Sequence, residues 1–165
     1  MLQKFLMQNR DSILQKWVDQ TIKTYNPEMV RFLKKEINQF SNPVRNTILN
    51  SLEKIFDGLL NGLGVEEYHG LEEIIKIRAV QDFSPSEALS FLFDLKKIIR
   101  TELINSDQKG DILSETCIFD EKFDTLFVLG FDLYNNCRKK IHEIKIAEIK
   151  SQSQRAFEIQ QKKKK

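Results

Sequence analysis

Two histidines, two cysteines and a neighbouring arginine and aspartate hold most of the chemistry open to this 165-residue sequence. His69 and His142 fall in different segments, and Cys117 and Cys137 stand twenty positions apart. There is no His-Glu-x-x-His, Cys-x-x-Cys, Gly-x-Ser-x-Gly, P-loop or Gly-x-Gly-x-x-Gly string. Two cysteines and two histidines at these spacings do not make a tetrahedral zinc site. Nothing assembles a nucleophile, a base and an oxyanion hole, so neither an enzyme nor a metal site is expected. Arg78 and Asp82 are more informative. The apolar series Leu71, Ile74, Ile75 continues into Arg78 and then Asp82, so a charge occupies an inward-facing position. Standing four apart, the two are spaced for an intrahelical pair that clamps one helix to the next. The sharper alternative is a small-molecule or anion pocket with Arg78 as its polar anchor, Asp82 and Gln81 beside it and Trp17 and Tyr25 as its roof; Gln81 could share either role.

Those residues must be placed by helices. Pro27 follows Asn26, Pro43 follows Asn42 and Pro85 follows Ser84. In each case a capping residue precedes a proline at the first helical position, where the missing N–H costs nothing. Ser84-Pro85-Ser86-Glu87 also has the spacing of a capping box. Six helical segments follow: about Leu2 to Thr24, Pro27 to Phe40, Pro43 to Leu60, Val65 to Val80, Pro85 to Asn105, and a last one from near Asp111 past Lys150. The fifth is apolar nearly all round at its start, which predicts a buried, central helix. The sequence therefore predicts an all-α, globin-like bundle of about six helices with a long C-terminal helix. Residues 1–150 read as the regulatory or sensory domain and residues 151–165 as a polar, Lys-ending extension or linker.

Within the last segment, Gly130 costs a helix about 1 kcal/mol relative to alanine and permits close approach of another helix or chain. The face bearing Gly130, Leu133, Cys137, Ile141 and Ile144 is the candidate dimer interface. Twenty residues of helix span about 30 Å, so Cys117 and Cys137 do not pair; two small buried thiols suit a reducing cytoplasm.

Composition narrows the remaining classes. Lys+Arg 26 against Asp+Glu 24 gives a net charge of +2, with no field for nucleic acid beyond the terminal run Lys162 to Lys165, which reads as a solvated end. No run approaches the roughly 18 apolar residues of a membrane span. An all-α bundle can hold haem, but His69 sits in Tyr68-His69-Gly70 and the following Ile74-Ile75-Lys76-Ile77 offers no ligand, so no cofactor is expected.

Specific strings add a family. Ile13-Leu14-x-x-Trp17, Thr24-Tyr25-Asn26-Pro27, Phe32-Leu33-Lys34-Lys35 and Phe40-x-Asn42-Pro43-Val44 occur in order. With Ile77-Arg78-Ala79-Val80-Gln81-Asp82-Phe83-Ser84-Pro85-Ser86-x-Ala88, they resemble the N-terminal sensor domain of the RsbT co-antagonist family, a stressosome-related group. The resemblance runs from about Ile13 to Leu103. It implies a non-haem, globin-like domain that forms a homodimer through its last long helices and signals to a regulatory partner protein. In stressosome proteins a helical linker joins that domain to an anti-sigma-antagonist (STAS) domain, which contacts kinases. These 165 residues contain no such domain, so direct sequestration of a kinase is not expected of this chain. Arg45 stands where the family commonly has glycine after Asn-Pro-Val. The expected function is a cytoplasmic, non-catalytic sensor that passes a signal through its last helix. A small-ligand (haem or other) sensor and an adaptor that binds nothing are the alternatives.

Overall fold

The computed structural model describes residues 2–35, 42–106 and 112–163, and every element in them is an α-helix. The order is α1 (Leu2–Gln8), α2 (Arg10–Lys23), α3 (Pro27–Lys35), α4 (Pro43–Asn61), α5 (Val65–Val80), α6 (Pro85–Asn105) and α7 (Ile112–Lys163). The all-α expectation holds. Ile37 and Phe40 of the expected second helix, together with Gly110, Asp111, Lys164 and Lys165, lie outside the described residues.

All three prolines begin helices. Asn26 Oδ1 accepts from Met29 N at 2.8 Å, and Asn42 Oδ1 accepts from Arg45 N at 3.0 Å. Ser84 Oγ accepts from Glu87 N at 3.3 Å, while Glu87 Oε2 accepts from Ser84 N at 2.9 Å. Each cap satisfies an N–H that the first helical turn leaves without a partner. The unusual Arg45 does more than sit against the helix dipole. Its Nη1 donates to Leu33 O at 2.9 Å, tying the start of α4 to α3.

The first expected helix is in fact two, which raises the count among the described residues from six to seven. Asn9 ends α1: its Nδ2 and its own amide both donate to Phe5 O, at 2.9 and 3.1 Å. The break itself is in the Asn9 backbone, whose φ of −105° and ψ of 13° lie outside the α-helical region. Arg10, the first residue of α2, then makes a two-pronged bond to Asp57 of α4, with Nε–Oδ1 3.0 Å and Nη2–Oδ2 2.9 Å.

One apolar core joins the helices. Leu6, Ile13, Trp17, Ile48, Leu52, Phe56, Leu71, Ile74, Phe91, Leu95 and Phe123 are all fully buried within it. Helices α4 and α5 pack closely at Gly70, where an added Cβ would lie 3.0 Å from Ser51 O. The end of α4 is held from both sides, because Gln3 Nε2 donates to Leu60 O and Lys122 Nζ to Leu59 O. These donors occupy carbonyls that the last turn of a helix leaves free. Although α6 is buried along Phe91, Leu92 and Leu95, Phe93 is about half exposed and lies against Phe127 of α7, with ring centroids 4.0 Å apart. It is therefore not enclosed on all sides. Past Ile141, α7 continues without a break through Ser151 to Lys163, and residues 142–161 are exposed.

Candidate functional site

Helix α5 carries Arg78 less than one turn from its C-terminal end, on the face that buries Leu71, Ile74 and Ile75. The side chain has no exposed surface. Its guanidinium carbon lies 5.2 Å from the centre of the Tyr25 ring, 5.1 Å from Phe83 and 5.0 Å from Phe91. The three rings come from the α2–α3 connection, the α5–α6 turn and α6, so four parts of the chain meet at one cation. Nη1 donates to Glu87 O at 2.8 Å and Nη2 to Thr24 Oγ1 at 2.9 Å, with a longer contact to Thr21 O at 3.5 Å. Ring faces stabilise a desolvated cation through their quadrupoles.

Among the described residues no carboxylate lies within ion-pairing distance of Arg78, and its Nε has no hydrogen-bond partner. Burial lowers the guanidinium pKa, opposed by Tyr25 and by the charge of Asp94; an arginine nonetheless stays protonated in water near neutral pH. Burial raises the Tyr25 phenol, and the nearby cation offsets this only in part. Thr21 Oγ1, Tyr25 OH and Gln81 Oε1 are also buried without partners.

Trp17 completes the floor of the cage. Its ring stacks on Phe91 at 6.0 Å and 19°, and Nε1 donates to Phe91 O at 2.6 Å. Of the sequence-predicted pocket residues, Arg78 thus meets Tyr25 directly and Trp17 through Phe91, with Gln81 three residues beyond Arg78. Asp82 does not join them. Helix α5 ends at Val80, and Asp82 has φ 58°, in the left-handed region, so the four-residue helical spacing is lost before it can act. The expected Arg78–Asp82 pair is absent, and Asp82 instead accepts from Arg138 of α7 at 2.6 Å.

The turn from Gln81 to Ser84 is strapped to α7 by two side chains. Arg138 Nη1 also donates to Ala79 O at 3.0 Å, and Tyr134 OH donates to Phe83 O at 2.5 Å. The Phe83 amide donates to Arg78 O at 3.2 Å. The cage and the start of the projecting part of α7 therefore share Phe83. Sequence reasoning missed Thr24, Phe83, Glu87, Phe91, Tyr134 and Arg138 as members of this arrangement. Thr24 and Phe83 lie inside the quoted strings, but no spacing rule links either to Arg138.

The candidate dimer residues divide. Gly130 is buried against the chain's own helices, where an added Cβ would meet Leu89 Cδ2 at 2.6 Å and Leu71 Cδ1 at 3.8 Å. Leu133 is buried, and with the half-buried Cys137 and Ile141 it lines a groove of about 320 Å³ facing Tyr68, Lys76 and Val80 of α5. Ile144 is exposed. The other exposed apolar residues of α7 include Val128, Phe131, Ile146, Ile149 and Phe157, which fall within one arc on the opposite side. Both thiols are free on one continuous helix; Cys117 is exposed and Cys137 half-buried, which corrects the expectation that both are buried. His69 lies within α5, is exposed and approaches Glu72 at 3.6 Å. No group of metal-ligating side chains occurs among the described residues.

Residues 11–148 match the family described as RsbT co-antagonist protein rsbRD N-terminal domain. The chain belongs to this family. As an RsbRD N-terminal domain it is grouped with regulatory, stress-response proteins. An uncharacterised protein of Archaeoglobus fulgidus is 25% identical over 148 residues, covering 85% of this chain and 84% of the relative. No solved structure matches. No helix among the described residues is long and apolar enough to cross a membrane.

Proposed function

We propose that this RsbRD N-terminal domain is a non-catalytic, cytoplasmic sensory module. It pairs with a second copy through the outward face of α7 and passes a change in its core along that helix to a regulatory partner protein. The observation that carries the reading is the double role of α7. One face seats Phe123, Leu126 and Leu133 in the core, and the opposite arc leaves Val128, Phe131, Ile146 and Ile149 exposed. An apolar arc that continues on a helix beyond the body suits pairing with a like helix. Gly130 and Leu133, engaged within the chain, are not part of this proposed interface; Ile146 and Ile149 take their place.

Light scattering at micromolar concentration tests the pairing. The wild-type chain is expected as a dimer and the Ile146→Glu/Ile149→Glu double variant as a monomer with its helical content retained. A monomeric wild-type chain would overturn the pairing.

A further inference from the structure

We infer that His142 makes the pairing of α7 acid-sensitive: two copies associate while its imidazole is neutral and part when it is protonated. The inference deepens the sensory reading and rests on its paired α7 helices, since it names one condition to which the module answers.

Spacing makes His142 part of the proposed interface. It stands 4 residues before Ile146, 7 before Ile149 and 11 after Phe131. At about 100° per residue, all three lie within about 40° of His142 on one side of the helix. His142 is thus an inner member of the outward arc, and like Ile146 and Ile149 it is exposed in the single chain. Pairing on that arc takes its ring from water.

The surroundings of the ring are cationic. Its neighbours one turn away on α7 are Arg138, Lys139, Lys145 and Ile146, three cations and one apolar side chain. The α5–α6 turn brings one carboxylate, Asp82, within electrostatic reach of His142 and Lys145, but Arg138 already bonds it at 2.6 Å. Glu143 projects about 100° away round the helix. From α5, Glu72 bonds Lys76 at 2.8 Å, and both line the groove beside Cys137, as Lys140 does from α7. That groove is about 140° round the helix from His142.

A proton on His142 therefore finds no free carboxylate to face. In the pair, two such charges join the cations of both helices on one seam, with less water to screen them. Histidine is the side chain that changes charge between about pH 5 and 8. Separated chains then bind more protons than the pair does, so association weakens as pH falls through that range. A histidine on a solvated face would leave association unchanged.

Sedimentation velocity of the full chain at about pH 7.5 and about pH 5.5, at matched ionic strength, tests the inference. The dissociation constant is expected to rise roughly tenfold or more at the lower pH, with helical content by circular dichroism unchanged. His142→Gln, neutral at both values, should lose the pH response and pair as the wild type does at the higher pH. His142→Lys, charged throughout, should pair weakly at both. His69→Gln, which alters the exposed histidine near Glu72 of α5, should respond as the wild type does.

Equal association of the wild-type chain at both pH values would overturn the inference, and so would a response that His142→Gln retains. Either result leaves the pairing of α7 standing. A wild-type chain that is monomeric at both pH values overturns the pairing and the inference with it, so the two failures are told apart.

Discussion

The Asp82 carboxylate accepts from Arg138 on α7, 2.6 Å away, and not from Arg78 four residues before it. Arg138 also bonds Ala79 O, so one guanidinium holds both the last turn of α5 and the left-handed residue beyond it.

That contact makes stability depend on pH in a defined direction. The hydrogen bond and charge of Arg138, with smaller contributions from Lys145 and His142, hold the Asp82 carboxyl below its ordinary 3.8. A depressed folded pKa means the stabilisation is complete above the unfolded value and lost as pH falls through the folded one. Calorimetric melting should show Arg138→Gln below wild type at pH 7, with the gap closing below about pH 4. A gap that stays constant to pH 3 would show that Arg138 acts only through Ala79 O.

Asp82 itself has opposing demands. Its φ of 58° favours glycine, whereas its carboxylate favours aspartate. Asp82→Ala loses the contact and keeps the backbone strain; Asp82→Gly loses the contact and relieves it. Asp82→Gly should therefore melt above Asp82→Ala in the same buffer.

Two helical glycines should respond differently to alanine. At Gly70 the added methyl meets the backbone of Ser51, which cannot turn aside, and a loss of about 1–3 kcal/mol in urea unfolding is expected. At Gly130 it meets the terminal methyl of Leu89, which can rotate away. The gain in helix propensity, about 1 kcal/mol, then offsets the crowding, and stability should change by less than about 1 kcal/mol.

Removal of Arg78 tests how the core is held. Arg78→Ala deletes the side chain among three rings and should cost about 3–5 kcal/mol, in the range of large core truncations. Arg78→Met keeps most of the volume and removes a buried charge, so its cost should stay below about 2 kcal/mol. Equal losses for both would show that the hydrogen bonds to Glu87 O and Thr24 Oγ1, rather than the packing, carry the effect.

Much of the fold was legible because its signals are local. A cap and a proline act within one turn, which is why Pro27, Pro43 and Pro85 each mark a helix start. The break at Asn9 was not legible, since the apolar spacing passes across it and only the Asn9 backbone angles leave the helix. Arg78 stood out as a charge on an apolar face, yet its partners did not. Thr24 lies 54 residues away in sequence, and Arg138 lies 56 from Asp82. Spacing also told which residues of α7 share a face but not what covers it. Gly130 and Leu133 were read as facing another chain, and the chain's own packing already buries both.

The free length of α7 sets how finely this molecule can point. From Ile141 to Lys163 the helix rises about 33 Å, so a tilt of roughly 5° at the Arg138 clamp swings its far end by about 3 Å. Reach and direction are also locked together. Deleting one residue from the free part shortens it by only about 1.5 Å, yet turns every later side chain about 100° around the axis. Deleting seven restores nearly the original bearing on a shorter arm. Whatever reads the tip reads an angle as much as a distance.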